Sequence, residues 1–158
     1  MGFSAGGHLA SELGVSFDAG NPGDADPVEQ VSSRPDFMIL AYPVIAPTGP
    51  GATSSFQHIL GETPDPQTVE LLSTDLHVTA QTPPAFLVCA DDDQTVSSES
   101  AVRFYLALHR SGVPAEIHIF ERGKHAFSMA VNNPFVGTWT MHLFDWLRIN
   151  GFVERDPR

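Results

Sequence analysis

Cysteine is nearly missing from this chain: Cys89 stands alone among 158 residues, which excludes an intrachain disulfide. It lies in the apolar run Ala85-Phe86-Leu87-Val88-Cys89-Ala90 and is expected as a buried, inert thiol. Basic residues are scarce as well: 8 lysines and arginines face 19 aspartates and glutamates, a formal charge of −11 that no basic cluster offsets. Such a surface repels phosphate backbones and anionic lipid, so neither nucleic acid nor membrane is an expected partner. No apolar stretch approaches the roughly 18 residues of a membrane span, and the N-terminus lacks the charged-then-apolar order of a signal peptide. As given, the chain reads as cytoplasmic, with any export signal left to a preceding segment. The remaining composition, 42% hydrophobic and 17% charged, suits one compact domain with a core of its own.

Three runs rich in β-branched or aromatic residues read as strands: 36–42, 84–90 and 115–120. The first two are continuously apolar, the pattern of strands covered on both faces, and the third alternates more. Helical spacing appears directly behind Ser4, taking in His8, Leu9, Ala10 and Leu13. It recurs over residues 98–111, with Val102, Tyr105, Leu106 and His109 and a stop at Gly112-Val113-Pro114. A last helix is predicted from about Asn133 to Asn150, with Phe135, Trp139, Leu143 and Trp146 or Leu147 on one face. This order predicts an α/β fold of about three parallel strands with flanking helices. Two stretches interrupt it. Residues 15–35, with Asp18, Asp24, Asp26 and Glu29 among glycines and prolines, read as a surface excursion. Residues 46–82 are long for an idle connection, carry a short helical stretch at 67–73, and suit a lid or substrate wall.

The chemistry begins at Gly2-Phe3-Ser4-Ala5-Gly6. Gly-x-Ser-x-Gly is a strand-to-helix turn so sharp that its flanks must be nearly free of side chains, leaving the serine hydroxyl exposed. The N–H of Ala5 would then point at a developing oxyanion, helped by the positive end of the following helix. The pentapeptide gains weight from order, because an acid and a histidine must follow downstream, each just beyond a strand. The strand at 84–90 ends in Asp91-Asp92-Asp93, and the strand at 115–120 is followed by Glu121-Arg122-Gly123-Lys124-His125. That placement puts a carboxylate and an imidazole on the same rim as the serine. The bland alternatives are a helix N-cap for Ser4 and a loop histidine bonded to nearby carboxylates for His125. His8 reads as a packing residue. His58, His77, His109, His118 and His142 show no metal-ligand spacing, and Asp91 and Asp92 read as a solvated or capping turn, so no metal or cofactor is expected.

The segments Gly2 to Ser11, Arg34-Pro35-Asp36-Phe37, Ala41-Tyr42-Pro43-Val44, Thr82-Pro83-Pro84, Asp92 to Val96 and Gly112 to His118 together resemble the acetyl xylan esterases and related carbohydrate or feruloyl esterases of the α/β-hydrolase superfamily. The resemblance runs over essentially the whole chain. It implies a Ser-Asp-His triad and selects Asp93, three residues before Val96, over Asp91 and Asp92. It selects His125 through the pattern Gly-x-His. Two departures stand out: Ser97 where the family often has proline, and Ala126 where it has glycine.

The family also carries a His-Gly-Gly-type loop that supplies further oxyanion N–H groups, and no such loop occurs in these 158 residues. Only Met1 precedes the first glycine of the elbow, so the strand leading into it is expected to be missing. Residues 1–158 are therefore expected to form a single partial α/β-hydrolase domain, without the N-terminal strands and oxyanion loop. A sheet so cut would leave an unpaired edge around Phe37 to Tyr42, best covered by a second copy in a homodimer or higher oligomer. Two function classes follow. One is a serine esterase acting on short-chain acyl esters, among them acetylated carbohydrates, through an acyl-serine intermediate. The other is a catalytically weak or inactive remnant stabilised by oligomerisation.

Overall fold

The computed structural model describes residues 1–153. Four strands form one parallel sheet in the order β1 (Gly2–Phe3), β2 (Met38–Ala41), β3 (Ala85–Ala90) and β4 (Ala115–Phe120). The helices are α1 (Ala5–Val15), α2 (Pro50–Leu60), α3 (Pro66–Leu72), α4 (Ser98–Arg110) and α5 (Trp139–Ile149). The three runs read as strands are β2, β3 and β4. Every residue of β2 and β3 is buried, as their unbroken apolar runs require, while β4 closes the sheet at one edge and leaves Ile119 45% exposed.

The strand expected to be missing before the elbow is present as two residues. Gly2 and Phe3 pair in parallel with Leu40 and Ala41, so the edge expected at residues 37–42 is half occupied. The elbow's own residues supply this pairing, which a count of residues preceding the glycine overlooks.

Strand alternation splits the core between two layers. Met38 faces α1, where Gly14 has no side chain to obstruct its sulfur. The neighbouring position, Ile39 in register with Phe86, faces the other way, and Phe86 meets Trp146 of α5 at 5.9 Å between ring centroids. α1 and α4 are joined through the 3-10 turn Thr74–Leu76: Ser11 Oγ lies 3.0 Å from Thr74 Oγ1, and Arg103 pairs with Asp75 at 2.8 Å. The last helix starts later than its hydrophobic spacing predicts. Asn133 Oδ1 accepts from the N–H groups of Phe135 and Val136, a 3-10 turn fills Val136–Thr138, and α5 begins only at Trp139. The stretch 15–35 continues past the end of α1 without helix or strand, as its glycines, prolines and acids predict.

The long connection 46–82 holds more structure than its prolines and glycines suggest. Pro50 opens α2, Ala52 and Phe56 fall one turn apart, and both are buried with Val44 and Val96 in a second small core. Gly51 lies so close to the Thr95 carbonyl that no side chain fits there. This connection therefore buttresses the turn that follows β3.

Candidate active site

Ser4 is the hinge between β1 and α1. Its backbone sits at φ 53°, ψ −121°, a left-handed conformation rare for a residue with a side chain. Main-chain bonds hold it there: the Ser4 N–H donates to the Ala41 carbonyl at 3.0 Å, and the Ser4 carbonyl accepts from the N–H groups of Gly7, His8 and Val44. Space does the rest. A Cβ on Gly2 would collide with the Gly6 carbonyl, and one on Gly7 would come within 2.7 Å of Pro43 Cβ. Gly6, the second glycine of the pentapeptide, faces open space, so the steric requirement falls on Gly2 and Gly7.

Asp93 lies in the turn beyond β3. Its side chain is fully buried, and Oδ1 accepts from the N–H groups of Thr95 and Val96 at 2.8 and 3.0 Å. These bonds leave Oδ2 free for His125 Nδ1, 2.7 Å away. On the other side of the ring, Nε2 stands 2.8 Å from Ser4 Oγ. With the carboxylate ionised, Nδ1 donates to Asp93 and Nε2 is the acceptor for the serine proton. The three residues selected from the sequence are thus joined in one hydrogen-bonded series. Asp91 and Asp92 lie outside it: Asp91 accepts from Ser98 Oγ, and Asp92 accepts from the N–H groups of Gly123 and Lys124.

Ala5, an exposed residue, begins α1, and its N–H has no acceptor among the described residues. It lies beside Ser4, where the unpaired N–H groups of a helix start favour negative charge. His8 is buried against Phe56, with Nδ1 3.3 Å from the Val44 carbonyl, and desolvation lowers its pKa below the ordinary 6.5. Cys89 is buried, and its thiol is pushed up to about 12, chiefly by desolvation and then by the charges of Asp93 and Asp91.

Sequence reasoning missed Tyr42. Its ring meets the His125 imidazole edge-on with centroids 5.0 Å apart, and its hydroxyl accepts from the Ser128 N–H at 3.2 Å. Burial raises its pKa, against the opposing effect of the Ser128 bond, so the hydroxyl is neutral at pH 7. Its position just past β2, on the rim that carries Ser4, Asp93 and His125, was the available signal.

The prolyl oligopeptidase family matches residues 52–150, more than half of the chain. The chain is similar to endo-1,4-beta-xylanase B of Butyrivibrio fibrisolvens, 35% identical over 143 residues, covering 89% of this chain and 22% of that protein. It is also similar to the acetylxylan esterase of Xylanibacter ruminicola, 31% identical over 153 residues, covering 94% of this chain and 29% of that protein. Among solved structures, an acetyl ester-xyloside bifunctional hydrolase from Caldicellulosiruptor lactoaceticus superposes with a TM-score of 0.92 at 44% identity, over 97% of this chain and 56% of that one. The chain thus spans under a third of these curated relatives and about half of that structure.

Proposed function

The chain belongs to the prolyl oligopeptidase family and has the α/β-hydrolase fold, and from that premise we propose that it is a serine esterase for short acyl groups, with acetylated carbohydrate as the substrate class. One observation carries the reading: the unbroken series from Asp93 Oδ2 through His125 to Ser4 Oγ, with links of 2.7 and 2.8 Å. In this reading Ser4 Oγ attacks the ester carbonyl carbon while His125 Nε2 takes the hydroxyl proton. The carbonyl oxygen becomes an oxyanion that the Ala5 N–H stabilises. Collapse breaks the acyl C–O bond, and His125 returns the proton to the departing alcohol. Water then attacks the acyl-serine by the same route, releasing the acid and restoring Ser4. Asp93 keeps Nε2 as the acceptor and stabilises the imidazolium. The acetyl and carbohydrate parts of the proposal rest on what the relatives are named for.

A second reading, a hydrolase of low turnover, draws on the oxyanion site. Ala5 is the donor that the elbow itself supplies, and removing one donor from such a site typically costs about 100- to 1,000-fold in turnover. The test is hydrolysis of p-nitrophenyl acetate, with a peptide p-nitroanilide as the competing substrate class and a serine-directed organophosphate as a covalent probe. Expected are turnover of the acetate ester, little turnover of the anilide, and labelling at Ser4, with both turnover and labelling lost in Ser4→Ala. Undiminished turnover by purified Ser4→Ala overturns the assignment. Stoichiometric labelling with very slow turnover selects the second reading.

A further inference from the structure

The loop that carries His125 bonds to its own backbone only beyond Phe127, where the Ala130 N–H donates to the Phe127 carbonyl at 2.9 Å. Four of its non-glycine residues, Lys124, Ala126, Ser128 and Ala130, have φ values of 58°, 60°, 49° and 48°, a conformation that L-residues adopt only where the surroundings impose it. Among the described residues, 121–126 make no backbone-to-backbone hydrogen bond. Side chains from other elements take that place. Asp92 Oδ1 accepts from both the Gly123 and Lys124 N–H groups at 2.7 Å. Beyond His125, the Tyr42 hydroxyl accepts from the Ser128 N–H at 3.2 Å, and Trp139 Nε1 donates to the Ser128 carbonyl at 3.1 Å. Gly123 rests so tightly on the end of β3 that a Cβ there would lie 2.8 Å from Ala90 Cβ. The loop is therefore pinned on both sides of the imidazole.

We propose that Asp92 is the positioning residue of the base, its carboxylate fixing the Gly123-Lys124 backbone so that His125 stands between Asp93 and Ser4, with Tyr42 holding the far end of the loop. The proposal deepens the esterase reading and rests on it for its kinetic consequences. Two consecutive aspartates then divide the work: Asp93 binds the ring, and Asp92 binds the chain that presents the ring. Because both leave the same turn, acid and base loops are fastened to each other at two points. Two N–H donors converging on one carboxylate oxygen make a charge-assisted pair of bonds. The same bonds hold the Asp92 carboxyl below the usual carboxylate range. Asp91, whose contact is with Ser98 in α4, has no part in this.

The experiment compares Asp92→Ala, Asp92→Asn, Tyr42→Phe and Asp91→Ala in two readouts: p-nitrophenyl acetate kinetics, and the downfield proton signal of His125 Nδ1–H against Asp93. A misplacement of about 1 Å at a catalytic group costs about 100-fold. Asp92→Ala is expected to lower kcat by about that factor with KM little changed, and to shift or broaden the downfield signal. Asp92→Asn, which keeps a carbonyl oxygen in place, is expected to recover most of both, and Asp91→Ala to change neither. Tyr42→Phe, which keeps the ring and removes only the acceptor, is expected to move the signal less. It serves in place of Asp92→Ala should that variant not fold. An unmoved signal and unchanged kcat in the Asp92 and Tyr42 variants overturn the proposal. If the wild type hydrolyses no ester, the esterase reading fails, while the proton signal still decides whether Asp92 positions His125.

Discussion

Ser4 and His125 stand 2.8 Å apart, yet the two pieces of chain that carry them are held by different means. The elbow is a main-chain device: one strained residue, one N–H given to Ala41, one carbonyl accepting three N–H groups, and glycines where no Cβ fits. Around the imidazole the histidine loop is a side-chain device: two of its four left-handed residues, Lys124 and Ser128, are bonded to Asp92, Tyr42 and Trp139 from elsewhere in the fold. A backbone constraint appears locally in the sequence as glycines at fixed spacing. A constraint imposed from elsewhere in the fold leaves no such mark.

The largest effect should come from adding a methyl group to the elbow. Gly2→Ala drives a Cβ into the Gly6 carbonyl, which is backbone and cannot step aside. Overpacking of this kind costs about 1–3 kcal/mol or more, and here the upper end is expected, with loss of any esterase activity. Gly6→Ala meets open space within α1 and is expected to raise stability by about 0.4–1 kcal/mol. Urea midpoints of the two variants measure the contrast. Equal midpoints would show that crowding does not hold the elbow.

Next comes Asp93, the proposed acid. Asp93→Asn keeps the shape of the turn but lets an amide face Nδ1, favouring the tautomer that cannot take the serine proton; a loss of about 10,000-fold in kcat is expected. Asp91→Asn should cost little, since Asp91 contacts Ser98 and not the histidine. Steady-state rates on p-nitrophenyl acetate rank the two, and comparable losses would mean that the whole turn had moved.

This division between backbone and side-chain devices also sorts what was legible beforehand. Ser4 was picked out by the elbow motif, and the order of acid and histidine at strand ends pointed to the two turns. It was the resemblance to the esterases that selected Asp93 among three aspartates and His125 through Gly-x-His. The structure brings these three side chains into hydrogen-bond contact. Strands β2 and β3 were legible because each is an apolar run buried on both faces. Three features were not. β1 is only two residues long and coincides with the elbow motif. α2 opens on Pro50-Gly51 and continues through Thr53-Ser54-Ser55, residues of weak helix propensity that become helical because Ala52 and Phe56 bury against Val44 and Val96. Asp92 read as a solvated turn residue because its partners, Gly123 and Lys124, are 31 and 32 positions away.

A smaller effect tests the elbow's helix rather than its turn. His8 is buried, and desolvation lowers its pKa from 6.5, outweighing the Val44 bond and the charge of Glu12. The unfolded chain therefore binds a proton at this site at a higher pH than the folded chain does. Stability contributed here is present above the ordinary 6.5 and declines as pH falls through that value toward the folded pKa. Thermal midpoints at about pH 7 and about pH 5.5 should differ less for His8→Gln than for the wild type. An identical acid shift in both would remove His8 as a source of pH sensitivity.

The smallest expected effect lies in the histidine loop itself. Ala126 sits next to His125 at φ 60°, where related esterases are expected to carry glycine. A left-handed L-residue costs about 1–2 kcal/mol, while the greater freedom of glycine in the unfolded chain takes back about 0.4–1 kcal/mol. Ala126→Gly should therefore raise stability by between about 0 and 1.6 kcal/mol, read as a shift in the urea midpoint. Its kinetics separate two ways of holding the base. If Asp92, Tyr42 and Trp139 fix the loop from outside, relieving one strained residue leaves kcat near the wild-type value. If the methyl group of Ala126 itself restricts the loop, glycine frees the backbone beside His125 and kcat falls even as stability rises. The first outcome is expected, because the pins lie on either side of residue 126 and none of them involves its side chain.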